Sequence, residues 1–259
     1  MKKLNAADRQ AQIVELLSNN KTMKLVDLAK HFNVSRETIR RDLIVLNEIG
    51  AAKKWFGGAI STQEKQDFSI QDIDKKIEIN ATKKMQICQK ALELIPPQAV
   101  IFLDNGSTTL YMAKLLKNLS GHTIITTSIP VINTCINSSN KLIICGGVID
   151  PLIASTVGSS SVDFLKQIRT DVAILGSSGF KMNNGPTGNN FEYSQLKKTA
   201  IKNAQTSIVL ADSSKATYSS LIQYVDWDEI DYLVTNSDIN SDVRKKIENK
   251  TNIIYANEQ

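Results

Sequence analysis

Three stretches of the first sixty residues carry apolar side chains at helical spacing. Their apolar positions are Ile13, Val14, Leu16 and Leu17, then Leu25, Leu28, Ala29 and Phe32, then Ile39, Leu43 and Leu46. Ser35 opens the third stretch, and its hydroxyl suits an N-cap because it can accept a bond from a first-turn backbone N–H. An extended segment at 51–56 and the pair Gly57-Gly58 follow. Two helices, a turn, a third helix and a β-ribbon together predict a winged helix-turn-helix over residues 1–60.

Beyond residue 60 the pattern changes to short apolar runs that alternate with helical stretches. The polar segment 61–73 predicts a linker, and a helical stretch over 74–95 is stopped by Pro96-Pro97. The predicted strands are 100–104, 123–126, 141–145, 172–176, 207–211, 232–235 and 252–255, and the helices between them are 109–118, 131–136, 162–168, 192–204 and 242–249. This alternation predicts βαβ units and a mostly parallel sheet. We therefore predict an α/β protein in which the winged helix-turn-helix is joined to a larger α/β domain over 74–259.

The net charge of +5 lies entirely in the N-terminal segment. Residues 1–60 contain 11 Lys and Arg against 6 Asp and Glu, so that 20 basic and 20 acidic residues cancel over 61–259. A small basic module attached to a neutral domain is typical of proteins that bind nucleic acid.

Composition and cysteine usage bear on the compartment. Hydrophobic residues make up 42% of the chain and charged residues 22%, which is typical of a soluble globular protein. No apolar run approaches the roughly 20 residues that cross a bilayer, and no signal-peptide pattern follows the basic N-terminus. Cys88, Cys135 and Cys145 are scattered, which argues against a disulfide framework. We expect a cytoplasmic protein without a membrane partner.

The densest chemistry of the first domain lies on its third predicted helix. If Val34, Ile39 and Leu43 face the core, short hydroxyls and guanidinium groups remain outside near the helix N-terminus. A recognition helix contacts base edges and phosphates of the major groove with that end. The candidate DNA-binding residues are Ser35, Arg36, Thr38, Arg40 and Arg41, with Lys53 and Lys54 ahead of the wing turn. The alternative is an ordinary surface helix that carries an arginine pair.

A second candidate site follows the first strand of the larger domain. Residues 104–109 have the sequence Asp-Asn-Gly-Ser-Thr-Thr, and a helix is predicted directly after them. Such a loop offers free backbone N–H groups, hydroxyls and the positive end of a helix dipole, which are the requirements of a phosphate site. The alternative is a well-capped helix with Ser107 or Thr108 as the cap.

The run VSRETIRRDL at 34–43, followed by WFGGA at 55–59, resembles the signature of the DeoR family of regulators. That family has V-S-x-x-T-I-R-R-D-L ahead of a wing that ends in H-G-G-A. Phe56 stands where the family usually has His, and Ala51-Ala52 replace a more apolar segment. Both departures lie in the wing.

Later motifs resemble the C-terminal sensor domain of the same family. They are IICGG at 143–147, TVG at 156–158, LGSSGF at 175–180 and LADSSK at 210–215, and the last of them matches the family's L-A-D-S-S-K closely. The resemblance implies a fold similar to ribose-5-phosphate isomerase and amino-sugar phosphate isomerases, in which the Gly-Ser-Thr loop holds the substrate phosphate. It assigns the phosphate to Gly106, Ser107, Thr108 and Thr109.

The same resemblance implies roles for three further residues. Asp104 would face the sugar hydroxyls, and Lys215 would place a positive charge over the pocket. The alternatives are a strand-end cap for Asp104 and a solvated loop lysine for Lys215. In the loop at 185–192, where the family carries acidic residues, only Glu192 remains, and this loop is expected to set the identity of the effector.

Two classes of function are consistent with these features. The first is a sequence-specific DNA-binding regulator, a repressor of a carbohydrate operon that responds to a phosphorylated sugar and assembles as a homo-oligomer on double-stranded operator DNA. The second is a sugar-phosphate isomerase or deaminase, because the implied fold hosts both and a fold alone decides neither. The chain contains only His31 and His122, and an enzyme has no need of a fused DNA-binding domain. We therefore expect no catalytic residues, no metal and no cofactor, and a protein-binding scaffold has no positive support.

Overall fold

A computed structural model describes residues 5–20, 22–48, 52–55, 58–61 and 76–256. The backbone contacts divide the chain into two compact units, Met1–Asp67 and Phe68–Gln259, and each is described by itself. The predicted boundaries at 1–60, 61–73 and 74–259 stay a prediction. Of the predicted linker only Ser61 is described, as the last residue of a strand, and 62–73 lie outside the described residues.

The N-terminal unit contains three helices and a small antiparallel sheet. Its elements are α1 (Ala6–Asn20), β1 (Thr22–Lys24), α2 (Leu25–His31), α3 (Arg36–Glu48), β2 (Ala52–Trp55) and β3 (Gly58–Ser61). The three helices bury one apolar cluster, formed by Ile13, Leu17, Leu28, Ala29, Ile39, Leu43 and Leu46. These are the positions that the helical spacing placed inward. The winged helix-turn-helix is confirmed.

A buried ion pair joins α1 to α3 in this unit. The guanidinium of Arg9 donates to both carboxylate oxygens of Asp42, with Nε–Oδ2 at 2.6 Å and Nη2–Oδ1 at 3.1 Å. Gln10 adds a bond from Nε2 to Asp42 Oδ1 at 3.0 Å. Asp42 therefore stabilises the packing of α1 against α3, although it directly follows Arg40 and Arg41, two of the predicted DNA-binding residues.

Strand β1 is absent from the sequence-based prediction. It pairs antiparallel with β3, and the sheet has the order β1-β3-β2. Three residues between two helices carry too little periodicity to identify a strand, and only the pairing with a segment more than thirty residues away defines it.

The C-terminal unit is built on a seven-stranded sheet. All seven predicted strands are present, as β4 (Val100–Leu103), β5 (Ser120–Thr126), β6 (Ser139–Ile144), β9 (Thr170–Gly176), β11 (Ala204–Leu210), β13 (Tyr232–Asn236) and β14 (Asn252–Ala256). Their order in the sheet is β14-β13-β11-β9-β4-β5-β6, and every neighbouring pair is parallel. The helices are α4 (Ala81–Leu92), α5 (Ser107–Leu116), α6 (Ile129–Cys135), α7 (Ser159–Lys166), α8 (Phe191–Lys202) and α9 (Ser241–Ile247). The predicted α/β class with a parallel sheet is confirmed.

Two apolar clusters cover the two faces of this sheet. Phe102 and Ala173 belong to one cluster, whereas Ile101, Leu103 and Val172 belong to the other. Neighbouring residues of one strand point to opposite faces, so strands buried on both sides read as continuous apolar runs. For that reason the central strands could be predicted from the sequence.

Two short antiparallel strand pairs extend this frame and were not predicted. One pairs β7 (Val148–Asp150) with β8 (Ser155–Val157), and the other pairs β10 (Thr187–Gly188) with β12 (Ile222–Gln223). Strands of two or three residues leave no periodicity to detect.

The prediction of one helix over 74–95 is wrong in its described part. A turn at 79–80 separates residues 76–78 from α4, and Asn80 adopts a left-handed conformation with φ of 55°. Asparagine tolerates that conformation better than most residues. Its side-chain amide bonds Asp212 Oδ1 at 3.1 Å and Ser214 Oγ at 3.4 Å, so tertiary contacts favour the break.

Candidate functional site

Helix α3 presents the predicted DNA-binding residues on its outer face. Ile39 and Leu43 are buried, whereas Ser35, Arg36, Arg40 and Arg41 are exposed and Thr38 is half-buried. Arg41 faces Glu37 one turn away, with Nε–Oε1 at 3.8 Å. Within the described part of the chain, no carboxylate lies within ion-pairing distance of Arg36 or Arg40. These two guanidinium groups, one helical turn apart, form the open basic face of the helix.

The start of α3 is ordered by its own hydroxyls. Ser35 Oγ accepts a bond from the backbone N–H of Thr38 at 3.1 Å and lies 2.8 Å from Thr38 Oγ1. Ser35 is therefore the N-cap that the sequence predicts. Lys53 and Lys54 lie on β2, opposite Ile60 and Ala59 of β3, and their side chains lie outside the described residues.

In the second unit, Asp104 directly follows β4 and is 1% exposed. Its Oδ2 accepts bonds from Lys197 Nζ at 2.6 Å and from the backbone N–H of Gly176 at 2.8 Å, and its Oδ1 accepts one from the Tyr193 hydroxyl at 2.7 Å. Lys197 Nζ also donates to the carbonyl of Gly176 at 2.7 Å. The carboxylate and the ammonium thus neutralise each other in a nearly water-free position that joins β4, β9 and α8.

Two tyrosines enclose the ammonium of Lys197. Nζ lies 5.4 Å from the ring centroid of Tyr193 and 5.0 Å from that of Tyr224, distances at which ring faces attract a cation. Burial, and then the negative charge of Asp104, raise the pKa of both phenols well above the usual value. The phenol of Tyr193 therefore stays protonated and donates to Asp104.

This cluster stands where the topology of the sheet changes direction. From β4 the chain proceeds outward to β5 and β6, then returns to β9 on the other side of β4 and continues to β11, β13 and β14. In open α/β sheets, ligands bind outside the carboxyl ends of the strands at such a switch point. The strands β4 and β9 flank this switch point. Asp104 directly follows β4, and Gly176 is the last residue of β9.

Helix α5 begins at the same point, with Gly106 as its N-cap and no side-chain capping bond. The alternative interpretation of this loop required Ser107 or Thr108 to be the cap. Neither residue is the cap. Thr109 Oγ1 donates to the carbonyl of Gly106 at 3.0 Å, and Thr108 and Thr109 are buried while Ser107 is half-buried. The first backbone N–H groups of a helix have no partner within it, so the end of α5 offers donors beside the buried ion pair.

Asn105 holds this loop in place with three bonds. Its backbone N–H donates to the Tyr193 hydroxyl at 2.7 Å, its Nδ2 donates to the carbonyl of Ile153 at 2.6 Å, and its Oδ1 accepts from Ser128 Oγ at 2.9 Å. The loop is therefore tied to α8, to the β7–β8 hairpin and to the start of α6.

Among the described residues, no hydrogen bond or ion pair joins Lys215 or Glu192 to this cluster. Lys215 is in a short 3-10 turn (Ser213–Thr217) after β11, two strands from β4, which is about 10 Å at the usual strand spacing. Its Nζ bonds the Tyr218 hydroxyl at 2.6 Å. Glu192 is exposed in the first turn of α8. The structure thus brings Asp104 together with 106–109, and the assignments of Lys215 and Glu192 stay predictions.

Sequence reasoning missed Tyr193, Lys197 and Tyr224. A signal for the first two was available, because Tyr193 and Lys197 are one helical turn apart and share the buried face of α8 with Leu196 and Ala200. A lysine at a core position of a helix requires a buried partner. No sequence pattern links Tyr224, which lies in a loop region, to the same cluster.

The described ranges contain no group of three or more His, Cys, Asp or Glu placed to hold a metal ion. No helix within them is both long enough and apolar enough to cross a membrane.

A basic-faced helix-turn-helix with a β-ribbon, followed by a doubly wound domain with a polar cluster at its switch point, defines a DNA-binding transcriptional regulator with a sensor domain. Two family models match the chain, a DeoR-like helix-turn-helix domain over residues 9–65 and the DeoR C terminal sensor domain over 79–237. The chain belongs to the DeoR family of transcriptional regulators.

Known relatives span almost the whole chain. It is 32% identical over 241 residues to the L-fucose operon activator of Haemophilus influenzae, covering 93% of this chain and 96% of that protein. It is 27% identical over 250 residues to the glycerol-3-phosphate regulon repressor of the same organism, covering 96% of each. Among solved structures, ribose 5-phosphate isomerase A from Methanocaldococcus jannaschii has 22% identity and a TM-score of 0.39, with 52% of this chain and 54% of that chain covered.

Replacing Lys197 with Met tests the weight of the buried pair. The change keeps most of the side-chain volume but leaves Asp104 charged and buried without its partner, which costs about 3–5 kcal/mol in the free energy of unfolding. Urea unfolding followed by circular dichroism measures this loss. Lys198→Met is the matched control, because Lys198 is the exposed neighbour on the same helix and should change the free energy by about 0.5 kcal/mol or less. Equal midpoints for the two variants would contradict this account of the pair.

Proposed function

We propose that this protein represses a carbohydrate-metabolism operon by binding operator DNA through α3, and that a phosphorylated sugar at the switch point of the sensor domain controls this binding. The observation that supports an effector site in the sensor domain is the start of α5, which has no side-chain capping bond and lies beside the buried Asp104–Lys197 pair. Backbone donors and a helix dipole suit a phosphate. The polar atoms around Lys197 suit the hydroxyls of a sugar.

Within this proposal the loop at 106–109 receives the phosphate, and Asp104 acts mainly by positioning Lys197 and Tyr193. Both carboxylate oxygens already accept bonds from the protein, so the sugar would meet the atoms that Asp104 holds in place. Glu192, exposed at the start of α8, would contact the part of the effector that extends away from the phosphate. Lys215 would add a longer-range positive charge from the turn that follows β11.

The sign of regulation is part of the proposal. A regulator that covers an operator blocks transcription by occupancy, and one relative is named as a regulon repressor while another is named as an operon activator. Activation is therefore the alternative outcome. A reporter gene behind a selected operator, with and without this protein, distinguishes the two by whether expression falls or rises.

The DNA half predicts the effect of removing arginines from α3. Arg40→Ala combined with Arg41→Ala should weaken binding to a random-sequence duplex and make the salt dependence shallower, by about 0.9 in the log–log slope for each lost phosphate contact. Fluorescence anisotropy at several salt concentrations measures both quantities. Lys30→Ala removes one exposed positive charge from α2 and is the control. Unchanged affinity and slope in the double variant would remove α3 from the DNA interface.

The sensor half predicts a ligand response that depends on Gly106. A methyl carbon at Gly106 would meet only Thr109 Oγ1, at 3.5 Å, so Gly106→Val should fold while its branched side chain occupies the space in front of the α5 N–H groups. A thermal-shift screen of pentose, hexose and amino-sugar phosphates identifies the effector, with inorganic phosphate as a minimal probe. That effector should change the DNA affinity of the wild type by a factor worth about 1–3 kcal/mol, and should change that of Gly106→Val not at all.

Gly146→Val is the matched control for this experiment, because a Cβ at that position meets no atom within 4 Å. It should respond to the effector as the wild type does. A full response in Gly106→Val would place the phosphate elsewhere. A screen in which no sugar phosphate shifts the unfolding temperature would count against the proposed effector. The proposed DNA binding through α3 would still be tested separately by the arginine variants.

The alternative class, a sugar-phosphate isomerase or deaminase, requires a free base at the site. Asp104 is already bonded by an ammonium, a phenol and a backbone N–H, which supports a binding role without catalysis. Purified protein incubated with the same sugar phosphates should give no product above a blank without protein. Turnover of any one of them at about 1 per second or faster would favour the enzyme.

A further inference from the structure

A cleft between α7 and α8 contains none of the residues of the proposed effector site. It has a volume of about 310 Å³ and is lined by six polar residues, Lys166, Gln195, Lys198, Thr199, Lys202 and Asn203. We call it the lysine cleft. Ligand pockets have volumes of roughly 300–1,000 Å³ and are lined mainly by apolar side chains. The polar lining of this small cleft therefore indicates a ligand that is recognised by charge and hydrogen bonds.

The lining of the lysine cleft carries three ammonium groups and no carboxylate. Lys166 bonds Asp163 of its own helix, with Nζ–Oδ1 at 2.9 Å. In the part of the chain that the structure describes, no carboxylate lies within ion-pairing distance of Lys198 or Lys202. The only acidic residue of α8 is Glu192, in its first turn, whereas Lys202 lies in its last. A cleft lined by one sign of charge attracts ions of the opposite sign.

Two of these lysines repel each other along α8. Lys198 and Lys202 are both exposed and are four positions apart, so their side chains are neighbours on one face of the helix. Like charges at this spacing destabilise a helix. The residues one turn before Lys198, Ser194 and Gln195, are uncharged and offer no compensating attraction. An anion bound between the two ammonium groups would replace their repulsion with two attractions.

Asn203 holds the two sides of the lysine cleft together. Its Nδ2 donates to the carbonyl of Leu165 in α7 at 2.7 Å, and its Oδ1 accepts a bond from Arg169 Nη1 at 3.2 Å. Its backbone carbonyl accepts a bond from the N–H of Thr170 at 3.1 Å. Asn203 thus joins the end of α8 to α7 and positions a fourth cation, Arg169, beside the cleft. A site whose walls are already ordered loses little conformational entropy when it binds a ligand.

We propose that the lysine cleft is a second anion site of the sensor domain, and that it binds a small polyanion with two or more adjacent phosphoryl groups. Lys198 and Lys202 would each donate to a different phosphoryl group, and Lys166 and Arg169 would add positive charge from the other side. None of the six lining residues is aromatic, so none offers a ring face to a nucleobase, and recognition rests on the phosphates. A ligand with one phosphate would engage only one of the two exposed lysines of α8.

Calorimetric titration of the full chain with inorganic tripolyphosphate tests the proposal, and orthophosphate is the comparison. Tripolyphosphate should bind the wild type at least about tenfold more tightly, because one further charge-assisted hydrogen bond contributes about that factor. Lys198→Gln combined with Lys202→Gln should raise its dissociation constant by more than about tenfold for the same reason. Lys198→Arg combined with Lys202→Arg keeps both charges and should retain binding. Lys245→Gln combined with Lys250→Gln removes the same charge from exposed positions elsewhere and should bind as the wild type does.

Four results would overturn the proposal. The first is a wild type that binds tripolyphosphate no more tightly than orthophosphate. The second is equal weakening in the two glutamine pairs, which would show attraction to the net charge alone. The third is binding that is lost in Gly106→Val and kept in the Lys198 and Lys202 glutamine variant, which would place the polyanion at the proposed effector site. The fourth is a wild type that does not bind tripolyphosphate but whose DNA binding becomes less salt-dependent in that glutamine variant, which would make the cleft a DNA contact. Circular dichroism checks that each variant is folded.

Discussion

The buried ion pair between Asp104 and Lys197 is the interaction on which the sensor domain depends. Two opposite charges withdrawn from water are stable only if each has its partner and its remaining hydrogen bonds. Here the hydrogen bonds come from Gly176 of β9 and Tyr193 of α8. A cation–π contact comes from Tyr224, which follows β12. The pair therefore fixes the relative positions of the elements that meet at the switch point of the sheet. The loop that begins α5 is ordered as a consequence, because Asn105 bonds the same Tyr193 hydroxyl.

A similar separation of roles occurs in the DNA-binding unit. Within the run Arg40-Arg41-Asp42, the carboxylate turns inward to the guanidinium of Arg9, and the two arginines remain outside. Asp42 thus holds the helix by its buried ion pair, whereas the charges of Arg40 and Arg41 face solvent. This ion pair holds α3 against α1, so the exposed arginines are presented by a fixed helix.

Sequence patterns predicted those parts of the fold that are governed by local periodicity. The central strands appear as apolar runs because both faces of the sheet are covered, and α3 appears because Ile39, Leu43 and Leu46 repeat at helical spacing. The loop at 104–109 was also predicted to follow a strand and open a helix. In contrast, β1, the β10–β12 pair and the break at Asn80 depend on contacts with distant residues, and β7 and β8 are only three residues long. No local periodicity marks them, and Asn80 leaves the helix because Asp212 and Ser214 bind its amide.

The sequence by itself determined the class of the protein, and it also indicated the helix that is proposed to contact DNA and the loop at which an anion is proposed to bind. These follow from residue types at fixed short spacings, which a linear chain displays directly. Only the tertiary structure decided which charges meet: it pairs Asp104 with Lys197, 93 positions away, and Arg9 with Asp42, 33 positions away. The reason is physical, because the cost of burying a charge depends on its neighbours in space. Those neighbours are set by the order of the strands, and spacing along the chain does not specify that order.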